Sequence, residues 1–288
     1  MLPRQLKYAR PESVAEAVEL LAAHPEARPL AGGQSIVNVL KLRAAEVEGL
    51  VDISRLEELR PVTLEGNSLV IGAGVRYAEL AAHPLVREHQ PVVAEIASRT
   101  ADVQVRNRGT LGGNICFNDP TSNYPPLLVA LGGTIRLTGP DRTREVAAGD
   151  FFLGPFRCAL DAGELVHSVV LPALPADAGV GYQTLELARE SWALARAAAW
   201  LRCDRTIHEA RVVIACLGPR PARQPSIEAA LVGSDGSEAA VTSAVAEAID
   251  GVDAVGDSHA SAEYRLEMAR VQAALAIGEA LEQSGGAA

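Results

Sequence analysis

Lysines, paired cysteines, clustered histidines and long apolar runs are what this sequence has little of. Only Lys7 and Lys41 are lysines among 26 basic residues, so a Schiff-base or phosphate-loop lysine would have to be one of those two. Neither belongs to a G-x-x-x-x-G-K-[ST] pattern, and no G-x-S-x-G presents a serine nucleophile. The six histidines never fall at H-E-x-x-H or another helical metal-ligand spacing. The four cysteines, Cys116, Cys158, Cys203 and Cys216, include no C-x-x-C. That argues against a zinc cage or an iron–sulfur cluster held by this chain alone, and the expectation is free thiols in a cytoplasmic protein. No apolar stretch approaches the roughly 18–20 residues that cross a bilayer. The opening MLPRQLKYAR lacks the apolar core of a secretory signal. A formal net charge of −10 makes nucleic acid a poor partner.

What remains is ordinary globular chemistry: 288 residues, 48% of them hydrophobic, enough for a sizeable core and for two or three domains. Ser13 is placed to cap a helix whose apolar positions Val14, Ala17, Val18 and Leu21 recur at i, i+3, i+4 and i+7. Strands are expected at Pro29–Ala31 and Leu50–Ile53, with a second helix over Ser35–Arg43, giving β-α-β units and a small parallel sheet. Beyond residue 60 come a strand at Leu69–Ile71, helices around Tyr77–Ala82 and Pro91–Thr100, and an Arg/Asn/Gly-rich loop over Arg106–Asn114. A short helix at Pro125–Leu131, strands at Thr134–Leu137 and Leu165–Leu171, and a turn at Gly149–Phe152 follow. Pro172–Gly179 reads as a boundary. After it, Val180–Leu187, Ala195–Cys203 and Ala210–Leu217 suit an antiparallel sheet. Helices at Ile227–Leu231, Ala239–Ile249 and about Ala262–Glu282 follow, the last with Leu266, Ala269, Ala273, Ala276 and Ala280 in one stripe. The final Gly-Gly-Ala-Ala is expected to fray.

Two glycine pairs stand out: Ala31-Gly32-Gly33-Gln34-Ser35 and Thr110-Leu111-Gly112-Gly113-Asn114. Consecutive glycines let a backbone turn sharply and bring several N–H groups to one anion. Two such loops could grip a diphosphate from both sides, although each pair alone would serve equally as a tight turn. Gly72-Ala73-Gly74 is a weaker motif, because Tyr77 stands where a dinucleotide fingerprint needs its third glycine.

Taken with Arg106-Asn107-Arg108-Gly109, with Asp119-Pro120-Thr121-Ser122-Asn123 and with Pro126, the two pairs strongly resemble the FAD-binding medium subunits of molybdenum-containing hydroxylases. That family includes subunits of carbon monoxide dehydrogenase, xanthine dehydrogenase and bacterial N-heterocycle oxidoreductases such as quinoline 2-oxidoreductase. The resemblance spans nearly the whole chain. It takes in Pro11, Ser13, Glu16-Ala17-Val18 and Leu20-Leu21, then Gly149-Asp150-Phe151-Phe152, then Glu164-Leu165-Val166 leading to Leu171-Pro172.

The resemblance implies an α+β fold: two α/β FAD-binding subdomains over 1–57 and 58–175, of the alcohol-oxidase-like kind, then a C-terminal antiparallel sheet with helices over 176–288. It implies FAD on this chain, with Ala31, Gly32, Gly33, Gln34, Ser35 and Ile36 around the diphosphate, chiefly through backbone N–H groups. Thr110, Leu111, Gly112, Gly113 and Asn114 would form the opposing wall. Asp119, Ser122 and Asn123 would lie near the ribityl chain or adenosine, with Asn123 standing where the family often has Asp. Leu165 would pack against the cofactor, and Trp192 or Tyr182 would cover the flavin's outer face, unless Trp192 is simply one more buried aromatic. No catalytic or metal-ligating residue is expected here. The implied role is electron transfer, from two [2Fe-2S] clusters on a small subunit, fed by a molybdopterin large subunit, to an external acceptor. The assembly would be a dimer of heterotrimers. A stand-alone FAD-dependent alcohol oxidase and a non-enzymatic interaction protein remain the alternatives.

Overall fold

The computed structural model describes residues 5–188, 191–246 and 249–285; most of the expected frayed end lies outside them. The chain divides into two compact units. One comprises residues up to Phe117, Thr134–Phe151 and Arg157–Leu171, and the other Asn118–Gly133, Phe152–Phe156 and everything from Pro172 on.

The first unit opens with β1 (Lys7–Ala9), α1 (Val14–Ala23), β2 (Ala27–Leu30), α2 (Ile36–Leu42) and β3 (Gly49–Asp52), a parallel sheet in the order β1-β3-β2. The helix α1 forms where its pattern said it would. Ser13 Oγ accepts from Glu16 N at 3.1 Å, and Val14, Ala17, Val18 and Leu21 are its buried positions. They pack into one core with Ala27, Val51, Leu56, Leu59 and Leu165.

Next come β4 (Val62–Glu65), β5 (Ser68–Gly72), α3 (Tyr77–Ala82), α4 (Pro84–His89), α5 (Pro91–Arg99), α6 (Val103–Arg106) and α7 (Leu111–Phe117). After α8 (Tyr124–Ala130), which belongs to the second unit, follow β6 (Thr134–Thr138), β7 (Thr143–Ala147), α9 (Ala148–Phe151), β8 (Phe152–Gly154), β9 (Arg157–Cys158) and β10 (Leu165–Leu171). Strands β4, β5, β10, β6 and β7 lie in that order in a wholly antiparallel sheet. Just before β10, Arg144 grips the Glu164 carboxylate bidentately, Nε to Oε1 and Nη2 to Oε2 both at 2.7 Å, and Asp161 N adds a bond at 2.8 Å. The Arg144 hydrogen bonds are the main reason the Glu164 carboxyl lies below the usual carboxylate range.

Two expectations need correcting here. The Gly149–Phe152 stretch is a short helix over Ala148–Phe151, with Phe151 fully buried. The Arg106–Asn114 loop is in fact the end of α6, a bend, and the first turn of α7. Thr110 makes that turn possible, because its Oγ1 accepts from Gly113 N at 3.1 Å and its carbonyl from Asn114 N at 3.0 Å. These bonds offset the poor helix propensity of two glycines.

In the second unit β11 (Ala178–Glu186), β12 (Ala193–Cys203), β13 (Ile207–Ala215) and β14 (Ala222–Arg223) form an antiparallel sheet in sequence order. Helices α10 (Pro225–Leu231), α11 (Glu238–Val245) and α12 (Ala262–Gln283) complete it. Alternate residues of β12, from Ala195 through Ala197, Ala199 and Leu201 to Cys203, meet Ala269, Ala273, Ala276 and Ala280 of α12 in one core. The intervening positions Arg196, Ala198 and Trp200 are also buried, so β12 is covered on both faces. Helix α8, Tyr-Pro-Pro-Leu-Leu-Val-Ala, has all seven residues buried and packs against β12 and β13. That is why 118–133, placed by the sequence reading within 58–175, joins the C-terminal unit: an all-round apolar helix goes where both its faces can be covered. No helix among the described residues is long and apolar enough to cross a membrane.

Candidate functional site

The two glycine pairs lie far apart in sequence and meet in the first unit. A Cβ built on Gly32 would stand 2.0 Å from Arg108 O and 3.0 Å from Gly109 Cα, so the bend after β2 rests directly on the segment that leads into α7. Gly33 has φ +75°, a conformation that disfavours any side chain. Gln34 Nε2 returns to Gly32 O at 3.1 Å, and Asn38 Nδ2 donates to Gln34 O at 2.8 Å, fixing the bend. Ser35 takes the helix-start position of α2, but its side chain makes no capping bond. Among the described residues, the backbone N–H groups from Gly32 to Ile36 have no intramolecular acceptor. Five consecutive amide donors are thus left for a ligand or water.

The facing segment is built differently. Leu111 N donates to Val75 O at 3.0 Å, Gly112 N to Ala73 O at 2.8 Å, and Tyr77 N to Gly109 O at 3.0 Å. With Gly113 N on Thr110 Oγ1, every amide from Leu111 to Asn114 is already used. Gly112 is required by packing, since its Cβ would stand 2.6 Å from Ala73 Cβ and 2.8 Å from Ala73 O. Apart from the backbone of α7 itself and the two neighbouring residues, the one atom among the described residues within 4 Å of a Cβ built on Gly113 is Thr110 Oγ1, at 2.8 Å. Three of the four glycines are therefore demanded by the fold itself, and Gly113 is the one that borders open space. Beside it, the Asn114 carboxamide lies against the Tyr77 phenol, and Asn114 Oδ1 is buried without a hydrogen-bond partner. Burial raises the Tyr77 pKa, so the phenol keeps its proton. Free amides on one segment and open space on the other suit a ligand carrying an anionic group, and the diphosphate of FAD is such a group.

The remaining expected site residues separate into three situations. Asp119, Ser122 and Asn123 form a turn in the second unit, launched by buried Asn118 at φ +44°, whose Nδ2 donates to Gly154 O at 2.7 Å. One Asp119 oxygen is spent on the turn, accepting from Thr121 N at 2.8 Å and Thr121 Oγ1 at 2.6 Å. Tyr182 holds this same turn, its hydroxyl donating to Asn123 O at 2.8 Å. Arg196, which sequence reasoning passed over, donates from Nη1 to Thr121 O at 2.5 Å and to Ser122 O at 2.9 Å. Only its charge in an otherwise alanine-rich strand could have drawn notice.

Trp192, at the start of β12, is 77% exposed, which removes the alternative of a buried aromatic. Leu165 calls for a correction. It is 4% exposed in the core with α1, Leu56 and Leu59, so its surface is occupied by packing within the first unit and not by a cofactor.

The family described as the FAD binding domain in molybdopterin dehydrogenase matches residues 4–174, and the CO dehydrogenase flavoprotein C-terminal domain matches residues 181–280. The carbon monoxide dehydrogenase medium chain of Hydrogenophaga pseudoflava is 35% identical over 271 residues, covering 93% of this chain and 94% of its own length. A solved structure of carbon monoxide dehydrogenase from the same organism, described as lacking the Mo-pyranopterin moiety of the molybdenum cofactor, matches with TM-score 0.95 at 36% identity. It covers 98% of this chain and 99% of that one. The structure of quinoline 2-oxidoreductase from Pseudomonas putida 86 matches with TM-score 0.94 at 29% identity, covering 99% and 100%.

Proposed function

We propose, from the premise that this chain belongs to the family of FAD-binding domains in molybdopterin dehydrogenases, that it is the subunit through which electrons leave a molybdenum hydroxylase. The observation that carries the proposal is the asymmetric pair of glycine segments, with donors free from Gly32 to Ile36 and space open at Gly113. In this reading Ala31 to Ile36 hold the FAD diphosphate through main-chain N–H groups, and charge-assisted bonds of that kind are the strong ones. Thr110 to Asn114 supply shape in place of amides: Gly113 leaves room, and Thr110 and Asn114 fix the turn that presents it. Asp119, Ser122 and Asn123 serve the ribityl or adenosine part, with Tyr182 fixing their turn from behind. Exposed Trp192 limits which acceptor approaches.

FAD, when bound, supplies a carrier that exchanges electrons one or two at a time, which joins one-electron centres to a two-electron acceptor. Those centres belong to partners: a small subunit with two [2Fe-2S] clusters and a large subunit with the molybdopterin cofactor, assembled as a dimer of heterotrimers. Among the described residues, no three His, Cys, Asp or Glu side chains come together as a metal-ligand set. The names of the relatives, medium chains and subunits of dehydrogenases, support the same division.

The test is to purify the complex from its source cell and remove FAD from it. Substrate should then still reduce the metal centres while reduction of the external acceptor stops, and re-added FAD should restore it. A flavin-free complex that reduces the acceptor at the native rate would refute the proposal. Isolated chain that binds FAD and oxidises an alcohol unaided would replace it with the stand-alone oxidase.

A further inference from the structure

We propose that Arg196 is a positioning residue for FAD, acting through the Asp119–Asn123 turn; this rests on the flavin reading above. Arg196 is 2% exposed in the middle of β12, between Ala195 and Ala197, which are fully buried. A guanidinium is costly to bury unless its N–H groups are bonded, and a carboxylate is the usual partner. Here the nearest carboxylate, Glu186 Oε1, is 3.8 Å from Nη2. The close bonds go instead from Nη1 to the main-chain oxygens of Thr121 and Ser122, and from Nε to Thr184 Oγ1 at 3.0 Å.

A cation shared between two successive carbonyls fixes the orientation of two successive peptide planes. The Tyr182 hydroxyl fixes the third, at Asn123 O, and the Arg196 guanidinium lies 5.7 Å over the Tyr182 ring. Three carbonyls in a row are thus drawn to strands β11 and β12. Ser122 Oγ, by contrast, makes no hydrogen bond among the described residues. These bonds anchor the turn's carbonyls to the sheet, and its half-buried serine hydroxyl is left for a ligand or water. Sequence separation makes the arrangement specific: Arg196 reaches back 75 residues to Thr121 and 74 to Ser122.

The experiment uses the full-length chain stripped of flavin, with FAD as the titrant, in wild type and in Arg196→Met, Arg196→Lys and Tyr182→Phe. Affinity is read from flavin fluorescence, binding geometry from visible circular dichroism of the bound flavin, and fold from the melting temperature without FAD. Arg196→Met should raise the FAD dissociation constant about 10- to 100-fold, on the order of one charge-assisted bond lost indirectly through the released turn. Arg196→Lys should recover part of that loss, because an ammonium keeps the charge but not the two-carbonyl geometry. Tyr182→Phe should weaken binding several-fold and change the visible dichroism with an unchanged melting temperature. Wild-type affinity and dichroism in both Arg196→Met and Tyr182→Phe would overturn the inference. If Arg196→Met fails to fold, wild-type binding by Tyr182→Phe alone overturns it. A wild-type chain that binds no FAD would refute the flavin reading itself, and this inference with it.

Discussion

Replacing Gly113 with Ala separates what the fold needs from what the ligand needs. The residue lies in the first turn of α7, where Ala is favoured over Gly by about 1 kcal/mol. The added Cβ would stand 2.8 Å from Thr110 Oγ1 and, among the described residues outside the backbone of α7 and the two neighbouring residues, near nothing else. Relieving that contact means turning a hydroxyl that now accepts from Gly113 N at 3.1 Å, a loss of about 1 kcal/mol. The two effects nearly cancel, so the flavin-free variant should melt within a few degrees of wild type. Binding should behave otherwise. The methyl group fills the one open position of the wall and displaces the ligand from the free amides of Gly32 to Ile36. Losing one charge-assisted bond costs about 1.5–3 kcal/mol, or roughly 10- to 150-fold in FAD affinity. Fluorescence titration with FAD and calorimetric melting of the same sample give both numbers. A Gly113→Ala chain that binds FAD like wild type would refute the proposed wall. A melting temperature that falls by ten degrees or more would refute the assignment of Gly113 to ligand space.

Gly32→Ala should behave in the opposite way, losing both FAD and stability, because its Cβ meets backbone at 2.0 Å; a stable variant with full flavin content would contradict the close approach of the two segments. Leu165→Ala should cost about 2–4 kcal/mol in urea unfolding, by cavity formation, while leaving FAD affinity in the folded chain unchanged. Trp192→Ala should leave stability within about 0.5 kcal/mol and raise the fluorescence of bound flavin; unchanged fluorescence and acceptor kinetics would remove the indole from the flavin face. The low carboxyl pKa of Glu164 means its stabilising effect is complete above the ordinary value of about 4.3 and fades as pH falls through the folded-state value. Arg144→Met should therefore destabilise by about 2–4 kcal/mol near neutral pH, and the gap to wild type should narrow on acidification; a gap independent of pH would show that the ion pair does not govern it.

Elements with local causes were legible in the sequence. Helix α1 follows from Ser13 and a four-residue apolar face, and the β12–β13 hairpin from two apolar runs around Asp204–Thr206. What escaped has distant causes. Helix α7 contains two glycines and exists because Ala73 and Val75 carbonyls receive its first amides. Helix α4, Pro84–His89, is a six-residue piece wedged between two others, too short for a periodic signal. The glycine pairs marked the site, but not that one segment offers amides and the other only space. Beyond its charge among alanines, Arg196 gave no sign of its role, because its partners lie on a turn that nothing local connects to β12.

The burial of α8 also has a consequence in time. During synthesis all seven of its side chains leave the ribosome well before the strands that cover them. About 85 residues separate Ala130 from the end of β13 at Ala215, roughly 4 to 17 s of translation at about 5–20 residues per second. For that interval a Pro-Pro-Leu-Leu-Val segment waits without its sheet, in a chain whose first unit needs residues up to Leu171 to finish its own central strand. A nascent chain stalled between those two points should be the form that binds chaperones most avidly and aggregates soonest.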